Sequence, residues 1–146
     1  MPLPSTRQTH MDVFHGKAPA LDDNHQIDDI SFMVEVVAKT ADYSVLVKES
    51  GTHFTTTGAT GGVNFTLPAV ADSTGCVYWF AAEADFEFMV SAPANTMVAF
   101  NDATATSIAY TTATQQIGQG CMAVCDGTLW YVFLHSGQTD SAVTVA

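Results

Sequence analysis

The chain has 146 residues, of which 47% are hydrophobic and 13% charged, a composition that predicts one folded domain and excludes a disordered chain. Its net charge is −11, and eight carboxylates lie beyond residue 48, where there is no cation. Binding to nucleic acid needs cations that replace phosphate counterions, so this balance excludes nucleic acid as a partner and disfavours an anionic membrane surface. The four cations are Arg7, Lys17, Lys39 and Lys48.

Neither a membrane span nor a signal peptide is predicted. Apolar runs stay well short of the ~18 residues that a spanning helix needs. The first seven residues hold two prolines and an arginine and lack the apolar core of a signal peptide. The three cysteines, an odd number, favour reduced thiols over a disulfide framework. We therefore expect the chain to fold in a cytoplasm.

Residues 1–31 differ from the rest of the chain. They hold three of the five prolines, three of the five histidines and five aspartates, and their few apolar residues follow no clear period. Such a segment cannot bury its own backbone polar groups. The sequence therefore predicts an extended N-terminal arm over residues 1–31, either mobile or laid on a partner, of which we favour the partner. A separate domain over residues 32–146 follows.

From residue 32 onward, short strand-like runs recur about every ten residues. The first, at residues 32–38, is predicted as a strand, with a pair of helical turns as the alternative. The others are 43–48, 63–67, 76–82, 86–91, 97–100, 107–110, 120–125 and 129–134. This spacing predicts an all-β fold, specifically an antiparallel β-sandwich or jelly roll of about eight strands.

The clearest strand signal lies in residues 42–68. In its first run, Tyr43, Val45 and Val47 alternate on one face, and a turn rich in threonine and glycine follows. The alternating residues of the second run are Val63, Phe65 and Leu67. This block predicts two strands of an antiparallel sheet.

A hairpin is predicted between residues 120–125 and 129–134. The pair Asp126-Gly127 stands between the two runs and accepts the positive φ angles of a type I′ turn. Turn residues also separate the other runs, at residues 58–62, 92–95 and 101–102.

Residue types that carry chemistry are present, but their spacing favours structural interpretations. His10, His15 and His25 lie near several aspartates, and these are ligands that zinc accepts, yet no tight His-x₃-His spacing occurs and an extended arm fixes no geometry. We interpret them as solvated or interface residues. Cys121 and Cys125 share one face of a strand and are interpreted as small core side chains.

Some carboxylates and aromatic residues can be interpreted either as functional or as structural residues. Asp85 and Glu87 alternate with Phe86 and Phe88, and such a carboxylate pair is used in glycoside hydrolysis, but any half-exposed strand shows the same alternation. The aromatic residues inside apolar strands could form a sugar platform, and we favour packing in the core or at a subunit interface. They are Tyr78, Trp79, Trp130 and Tyr131. We expect no catalytic, cofactor or metal site.

Several short motifs resemble those of a known family. From Asp42 to about Leu134 the chain resembles the β domain of bacteriophage capsid decoration, or cement, proteins, which also recurs in fibre proteins. The motifs that carry the resemblance are Val45–Val47, Thr57–Ala59, Val63–Pro68, Gly75–Phe80 and Asp126–Tyr131. One stretch departs from the family pattern, because Asn101–Ile108 holds no glycine where members often have a glycine-rich turn.

The resemblance implies a structural role in a virion, without catalysis. A protein of this kind binds the outer surface of a phage head, often as a homotrimer, and bridges subunits of the major capsid protein. It would be assembled in the host cytoplasm and reside on the capsid exterior. The arm would then be a strap to the capsid or to a neighbouring subunit. Its expected contact residues are Arg7, His10, Phe14, His15, Lys17, Leu21 and Ile27. The expected subunit-interface aromatic residues are Trp79, Trp130 and Tyr131.

Two other functions stay open at the level of sequence. The first is a tail-fibre or baseplate trimer module that contacts a host receptor, since the same β block occurs there. The second is a carbohydrate-binding jelly roll that uses Trp79 or Trp130. Copy number separates the first from a decoration protein, because decoration proteins are present in hundreds of copies per virion and fibres in tens or fewer.

Overall fold

The computed structural model describes residues 34–111, 117–135 and 143–146, and within them the regular secondary structure is almost all β-strand, which confirms the all-β prediction. The predicted arm and the first two residues of the predicted domain lie outside these ranges. Two short 3-10 turns, Val47–Glu49 and Val70–Asp72, interrupt the strands. The described strands are β1 (Val36–Ala38), β2 (Tyr43–Ser44), β3 (His53–Thr55), β4 (Val63–Thr66), β5 (Val77–Ala81), β6 (Phe88–Ser91), β7 (Met97–Ala99), β8 (Asp102–Ala105), β9 (Ser107–Tyr110), β10 (Gly120–Cys125), β11 (Trp130–His135) and β12 (Val143–Val145).

These strands form two sheets. The seven-stranded sheet has the order β1-β3-β5-β10-β11-β7-β8, and the five-stranded sheet has the order β12-β9-β6-β4-β2. The strands alternate between the sheets from β1 to β7, so that β1, β3, β5 and β7 lie in one sheet and β2, β4 and β6 in the other. The two-sheet sandwich is thus confirmed, whereas the jelly-roll detail is not.

The prediction that the sheets are purely antiparallel is wrong. Among the described strands, β1–β3, β3–β5, β2–β4, β4–β6 and β7–β11 pair in parallel. The chain path from β1 to β6 explains four of these pairs. Because the chain crosses to the opposite sheet after each strand, it returns to the first sheet in its original direction, and parallel neighbours result.

Aromatic side chains fill the space between the sheets. Phe54 on β3 packs against Phe65 on β4, with ring centroids 5.7 Å apart, and Phe65 lies 5.0 Å from Phe80 on β5. Within the five-stranded sheet, Phe88 and Tyr110 stack at 4.9 Å. All five side chains are buried. Aromatic pairs of this geometry contribute roughly 0.5–1.5 kcal/mol each beyond the burial of their area, so they hold the sheets together.

The predicted strand at residues 43–48 is much shorter than expected. β2 ends at Ser44, and Val47, predicted to share a face with Tyr43, is exposed in a 3-10 turn. The Glu49 side chain explains the change, since its carboxylate accepts hydrogen bonds from the Tyr43 hydroxyl at 2.7 Å and from the Leu46 backbone N–H at 2.8 Å. These bonds favour a turn over a continued strand.

The second half of the same block was predicted correctly. Val63, Phe65 and Leu67 are all buried, on and just after β4. β2 and β4 are however not hairpin partners, because β3 lies between them in the chain and belongs to the other sheet. β3 was not predicted.

Most of the later strands agree with the sequence. β5, β7, β9, β10 and β11 lie within one or two residues of their predicted bounds. The run predicted at 86–91 begins only at Phe88, and Phe86 lies in the preceding bend with 42% of its surface exposed. The strand face predicted for Asp85 and Glu87 is therefore wrong, since both precede β6 in exposed positions. β8 and β12 were not predicted.

The β10–β11 hairpin is confirmed, but its turn differs from the prediction. Cys125 pairs with Trp130, so the loop has four residues, and within it only Gly127 has a positive φ, of +95°. The Asp126 carboxylate organises the loop, because its Oδ1 accepts from the backbone N–H groups of Thr128 at 2.7 Å and Leu129 at 2.8 Å. A type I′ turn would need two positive φ angles.

The three thiols behave as the sequence indicated. Cys76, Cys121 and Cys125 are free and buried, and the last two share the inward face of β10. Burial raises the pKa of the Cys121 thiol.

In the part of the chain that the structure describes, no helix has the length and apolar character to cross a membrane.

Candidate binding face on the seven-stranded sheet

The site residues predicted from sequence fall into two groups. The arm residues lie outside the described ranges, and the aromatic residues lie on the central strands of the seven-stranded sheet. The contacts predicted for the arm residues stay predictions. These residues are Arg7, His10, Phe14, His15, Lys17, Leu21 and Ile27.

Trp130 is a core residue and not a subunit-interface residue. Its side chain has 0% of its surface exposed and its ring packs against Tyr78, with centroids 5.7 Å apart. The indole N–H donates a hydrogen bond to the carbonyl of Pro68 at 3.1 Å. A side chain with both its surface and its polar atom used inside the fold contacts neither a neighbouring subunit nor a sugar.

Trp79 and Tyr131 lie on the opposite side of the same sheet. Side chains alternate across a strand, so the buried Tyr78 and Phe80 of β5 place Trp79 outward. On β11, Tyr131 stands between the buried Trp130 and Val132 and is likewise outward. Both outward residues are partly exposed.

The strand registers place Trp79 in a row of outward residues that crosses five strands, and all but His53 are apolar. Each member is the direct cross-strand partner of the next, from the β1 edge of the sheet to β11. The row is Val36, His53, Trp79, Met122 and Phe133. Cross-strand partners lie about 4.5–5.5 Å apart, so these side chains form one surface.

A second row lies beside the first. Val77 pairs with Val124, Val124 with Tyr131, and Tyr131 with Val98 on β7. We call the nine residues of the two rows the outer face. The sequence gives none of these nine a carboxylate, an ammonium or a guanidinium group.

Exposure varies along the outer face. Val36 has 66% of its surface exposed and Phe133 has 53%, and the residues between them are partly exposed. Large apolar side chains in this number, contiguous and outward, mark a binding surface more often than isolated ones do.

Carboxylates are found at the margins of this face. At one end the Tyr131 hydroxyl donates to Oδ2 of Asp126 at 3.1 Å, and this bond raises the pKa of Tyr131. At the other end the Thr55 and Thr57 hydroxyls lie 2.8 Å apart, and Thr57 donates to the carboxylate of Glu83 at 2.5 Å. An apolar centre with a polar margin is the usual anatomy of a protein–protein interface.

The outward side of the five-stranded sheet is different. Asn64 and Thr66 on β4 and Ser91 on β6 lie there, and the Ser91 hydroxyl donates to Asn64 Oδ1 at 3.0 Å and lies 3.3 Å from Thr66 Oγ1. These polar groups bond to one another and suit contact with water. The contrast between the sheets identifies the seven-stranded one as the candidate binding side.

A signal for the outer face was present in the sequence. A strand with one buried side alternates, yet β5 reads Val-Tyr-Trp-Phe-Ala, which is apolar at both parities. The same holds for β11 up to Leu134. Runs of this kind require cover on both faces, and sequence reasoning recognised only two outward residues, Trp79 and Tyr131. It missed Val36, His53, Val77, Val98, Met122, Val124 and Phe133.

A separate exposed aromatic residue stands at the turn between β7 and β8. Ala99 pairs with Asp102, so Phe100 and Asn101 form a two-residue turn. Phe100 has 88% of its surface exposed and a φ of +53°, in the left-handed region that disfavours bulky side chains. The fold thus carries a strained and exposed phenylalanine.

Within the described ranges, no three His, Cys, Asp or Glu side chains are grouped so that they could hold a metal ion. No protein-family model matches the chain, and no curated protein matches it.

Proposed function

We propose that this protein is a structural virion component, a capsid decoration or cement protein that binds the outer surface of a phage head and bridges major capsid protein subunits. The observation that carries the proposal is the outer face, a largely apolar surface without carboxylate, ammonium or guanidinium groups on an acidic β-sandwich. The motif resemblance between residues 42 and 134 adds the virion context.

Electrostatics supports a protein partner over a nucleic acid. No lysine or arginine follows Lys48, and the carboxylates of Asp126 and Glu83 lie at the margins of the outer face. The carboxylates of the protein repel phosphate groups, whereas the outer face can bury apolar area against another protein. Both properties, low affinity for nucleic acid and an apolar contact surface, suit a decoration protein, which binds the protein shell and not the DNA inside it.

Many weak contacts suffice for such a role. A protein that touches several subunits of a repeating shell binds with an effective concentration far above its bulk concentration. In this proposal residues 1–31 supply a second contact, as the strap that orders on a neighbouring subunit. The homotrimer that the resemblance implies belongs to the same proposal.

The proposal is tested on particles purified from the phage or prophage that encodes the chain. Quantitative mass spectrometry should find this protein at hundreds of copies per particle, and added full-length protein should bind particles stripped of it. A variant that lacks residues 1–25 should keep the thermal unfolding of the domain and lose occupancy. Absence from the particles would refute the proposal, and unchanged occupancy of the truncated variant would refute the strap.

The alternative proposal is a tail-fibre or baseplate trimer module that binds a host receptor, such as a glycan. One observation favours it, the exposed Phe100 at the β7–β8 turn, because an apolar residue on a tight turn is well placed to enter a receptor pocket. The same mass spectrometry distinguishes the two proposals, since a fibre module would be found at tens of copies per particle or fewer.

A further inference from the structure

We infer that Cys76 and Cys125 form a disulfide bond, which ties the start of β5 to the end of β10, when the protein meets an oxidising environment during or after folding. In the structure both thiols are free and buried. The inference concerns the β-sandwich itself and does not depend on the proposed function.

The strand register brings the two cysteines to opposite positions. β5 and β10 are antiparallel, and their register ends with Val124 opposite Val77. One residue further, the Cys125 N–H donates to the Cys76 carbonyl at 3.0 Å, and the Cys125 carbonyl accepts from the Gly75 N–H at 2.8 Å. Hydrogen-bonded antiparallel neighbours have Cα atoms about 5.5 Å apart, and disulfides most often join Cα atoms about 5.5–6 Å apart. The backbone therefore already has the spacing that the bond needs.

Both side chains lie on the same side of the sheet. Cys125 is buried beside the partly exposed Val124, and Cys76 is buried beside the partly exposed Val77 of the outer face. Because side chains alternate across a strand, both cysteines point into the core between the sheets. Their Cβ atoms thus leave the backbone in the same direction, as a disulfide requires.

Cys121 is not an alternative partner. It lies four residues before Cys125 on β10, about 13 Å away at about 3.3 Å per residue, and a disulfide cannot join Cα atoms more than about 7 Å apart. Its direct neighbour on β5 is Phe80, which is four residues from Cys76, so a similar distance separates these two cysteines. The fold therefore selects one pair among the three thiols.

The two carbonyls that the thiols contact keep a donor after oxidation. The Cys76 S–H donates to the Val47 carbonyl at 3.9 Å, and the Cys125 S–H donates to the Val70 carbonyl at 3.7 Å. Each carbonyl also accepts a backbone N–H at the end of its own 3-10 turn, at 3.1 Å. Loss of the thiol hydrogens therefore leaves neither carbonyl as an unpaired buried group.

The oxidant in this inference is a small-molecule disulfide such as oxidised glutathione. The thiolate of one cysteine attacks a sulfur of that disulfide, forms a mixed disulfide and releases one glutathione thiolate. The thiolate of the second cysteine then attacks the protein sulfur of the mixed disulfide, which forms the bond between the two Sγ atoms and releases the second glutathione. The protein loses two electrons and two protons, and the oxidant leaves as two thiols.

Burial sets the rate of this exchange. It raises the pKa of the Cys125 thiol and so lowers the fraction of thiolate, the form that reacts. We therefore expect the bond to form readily during refolding, when both thiols are accessible, and slowly in the folded protein. Once formed, it closes a loop of about 50 residues and restricts the unfolded chain, which stabilises the fold.

The test is refolding of the reduced full chain from guanidinium chloride into a buffer with oxidised and reduced glutathione at about 1 mM each. Free thiols are then blocked with N-ethylmaleimide, and the protein is analysed by intact mass and by peptide mapping. We expect one maleimide, on Cys121, and a Cys76–Cys125 cross-link. Cys121→Ser should leave the cross-link unchanged, and Cys125→Ser should abolish it.

Thermal unfolding of the wild-type protein gives a second readout that needs no variant to fold. The cross-linked protein should melt roughly 5–10 °C above the reduced protein, and a reductant should remove the difference. A chain that keeps three free thiols in the refolding buffer, or that carries glutathione on Cys76 or Cys125 in place of the cross-link, would overturn the inference. So would a cross-link to Cys121, or an oxidised protein that melts no higher than the reduced one.

Discussion

The hydroxyl of Tyr131 donates a hydrogen bond to Oδ2 of Asp126, at 3.1 Å, across the four-residue loop that joins β10 to β11. The other carboxylate oxygen of Asp126 accepts two backbone N–H groups of the same loop, from Thr128 and Leu129. One side chain therefore holds the turn and one edge of the outer face in place.

The first prediction concerns the pH dependence of this loop. Donation from the Leu129 and Thr128 N–H groups lowers the pKa of Asp126 in the folded state. A lowered carboxyl pKa adds stability that is present above the unfolded pKa of about 3.9 and is lost as pH falls through the folded value. Asp126→Ala should lower the melting temperature at pH 7, and the difference from wild type should shrink below about pH 4.

Asp126→Asn is the matched control for this effect. Its amide oxygen can still accept the two backbone N–H groups, so it should recover most of the loss at pH 7 without the pH dependence. Thermal melts of the three proteins between pH 3 and pH 7 make the comparison. Equal melting temperatures for wild type and Asp126→Ala at pH 7 would contradict the assigned role.

The second prediction compares an inward and an outward phenylalanine. Phe65 is fully buried between the sheets, so Phe65→Ala should reduce the free energy of unfolding by about 3–5 kcal/mol. Phe133 is 53% exposed, so Phe133→Ala should cost less than about 1 kcal/mol. Denaturant unfolding at 5 μM protein measures both free-energy losses, and similar losses would show that the sidedness of β11 is misassigned.

Local patterns predicted a large part of this fold. The alternation of Val63 and Phe65, or of Phe88 and Val90, depends only on neighbouring residues, and both strands were predicted, although β6 begins two residues later than expected. β3 was not predicted because it has only three residues. One of them, Phe54, is an inward apolar side chain, and a single such residue shows no alternation. Parallel pairing was not predicted either, because it depends on how the chain crosses from one sheet to the other.

The candidate site was predicted in part for a similar reason. An apolar run such as Val77–Ala81 indicates that both faces need cover, but it does not say which residues face the core. Trp79 and Trp130 look alike in sequence, and only the sheet registers separate an outward residue from a core residue. The extent of the outer face depends on six strands that are distant in the chain.

The third prediction tests the strain at Phe100. Its φ of +53° is unfavourable for a phenylalanine, and with 88% of the side chain exposed little packing offsets this. Phe100→Gly should therefore raise the free energy of unfolding by about 1 kcal/mol. Asn95 has a similar φ of 57° but is a residue type that tolerates it, so Asn95→Gly should change stability by less. Equal effects, or a loss in Phe100→Gly, would argue against strain.

The fourth prediction concerns the reactivity of the core thiols. The thiolate is the form that reacts, and burial raises the pKa of both Cys121 and Cys125, so neither should be modified in the folded protein at pH 8. Cys121 has no exposed surface, and its modification should require unfolding. Iodoacetamide labelling followed by peptide mass spectrometry should find Cys121 labelled only in denaturant, with a rate that follows the unfolded fraction. Rapid labelling in buffer would mean that β10 opens locally, and would place the least stable part of the fold beneath the outer face.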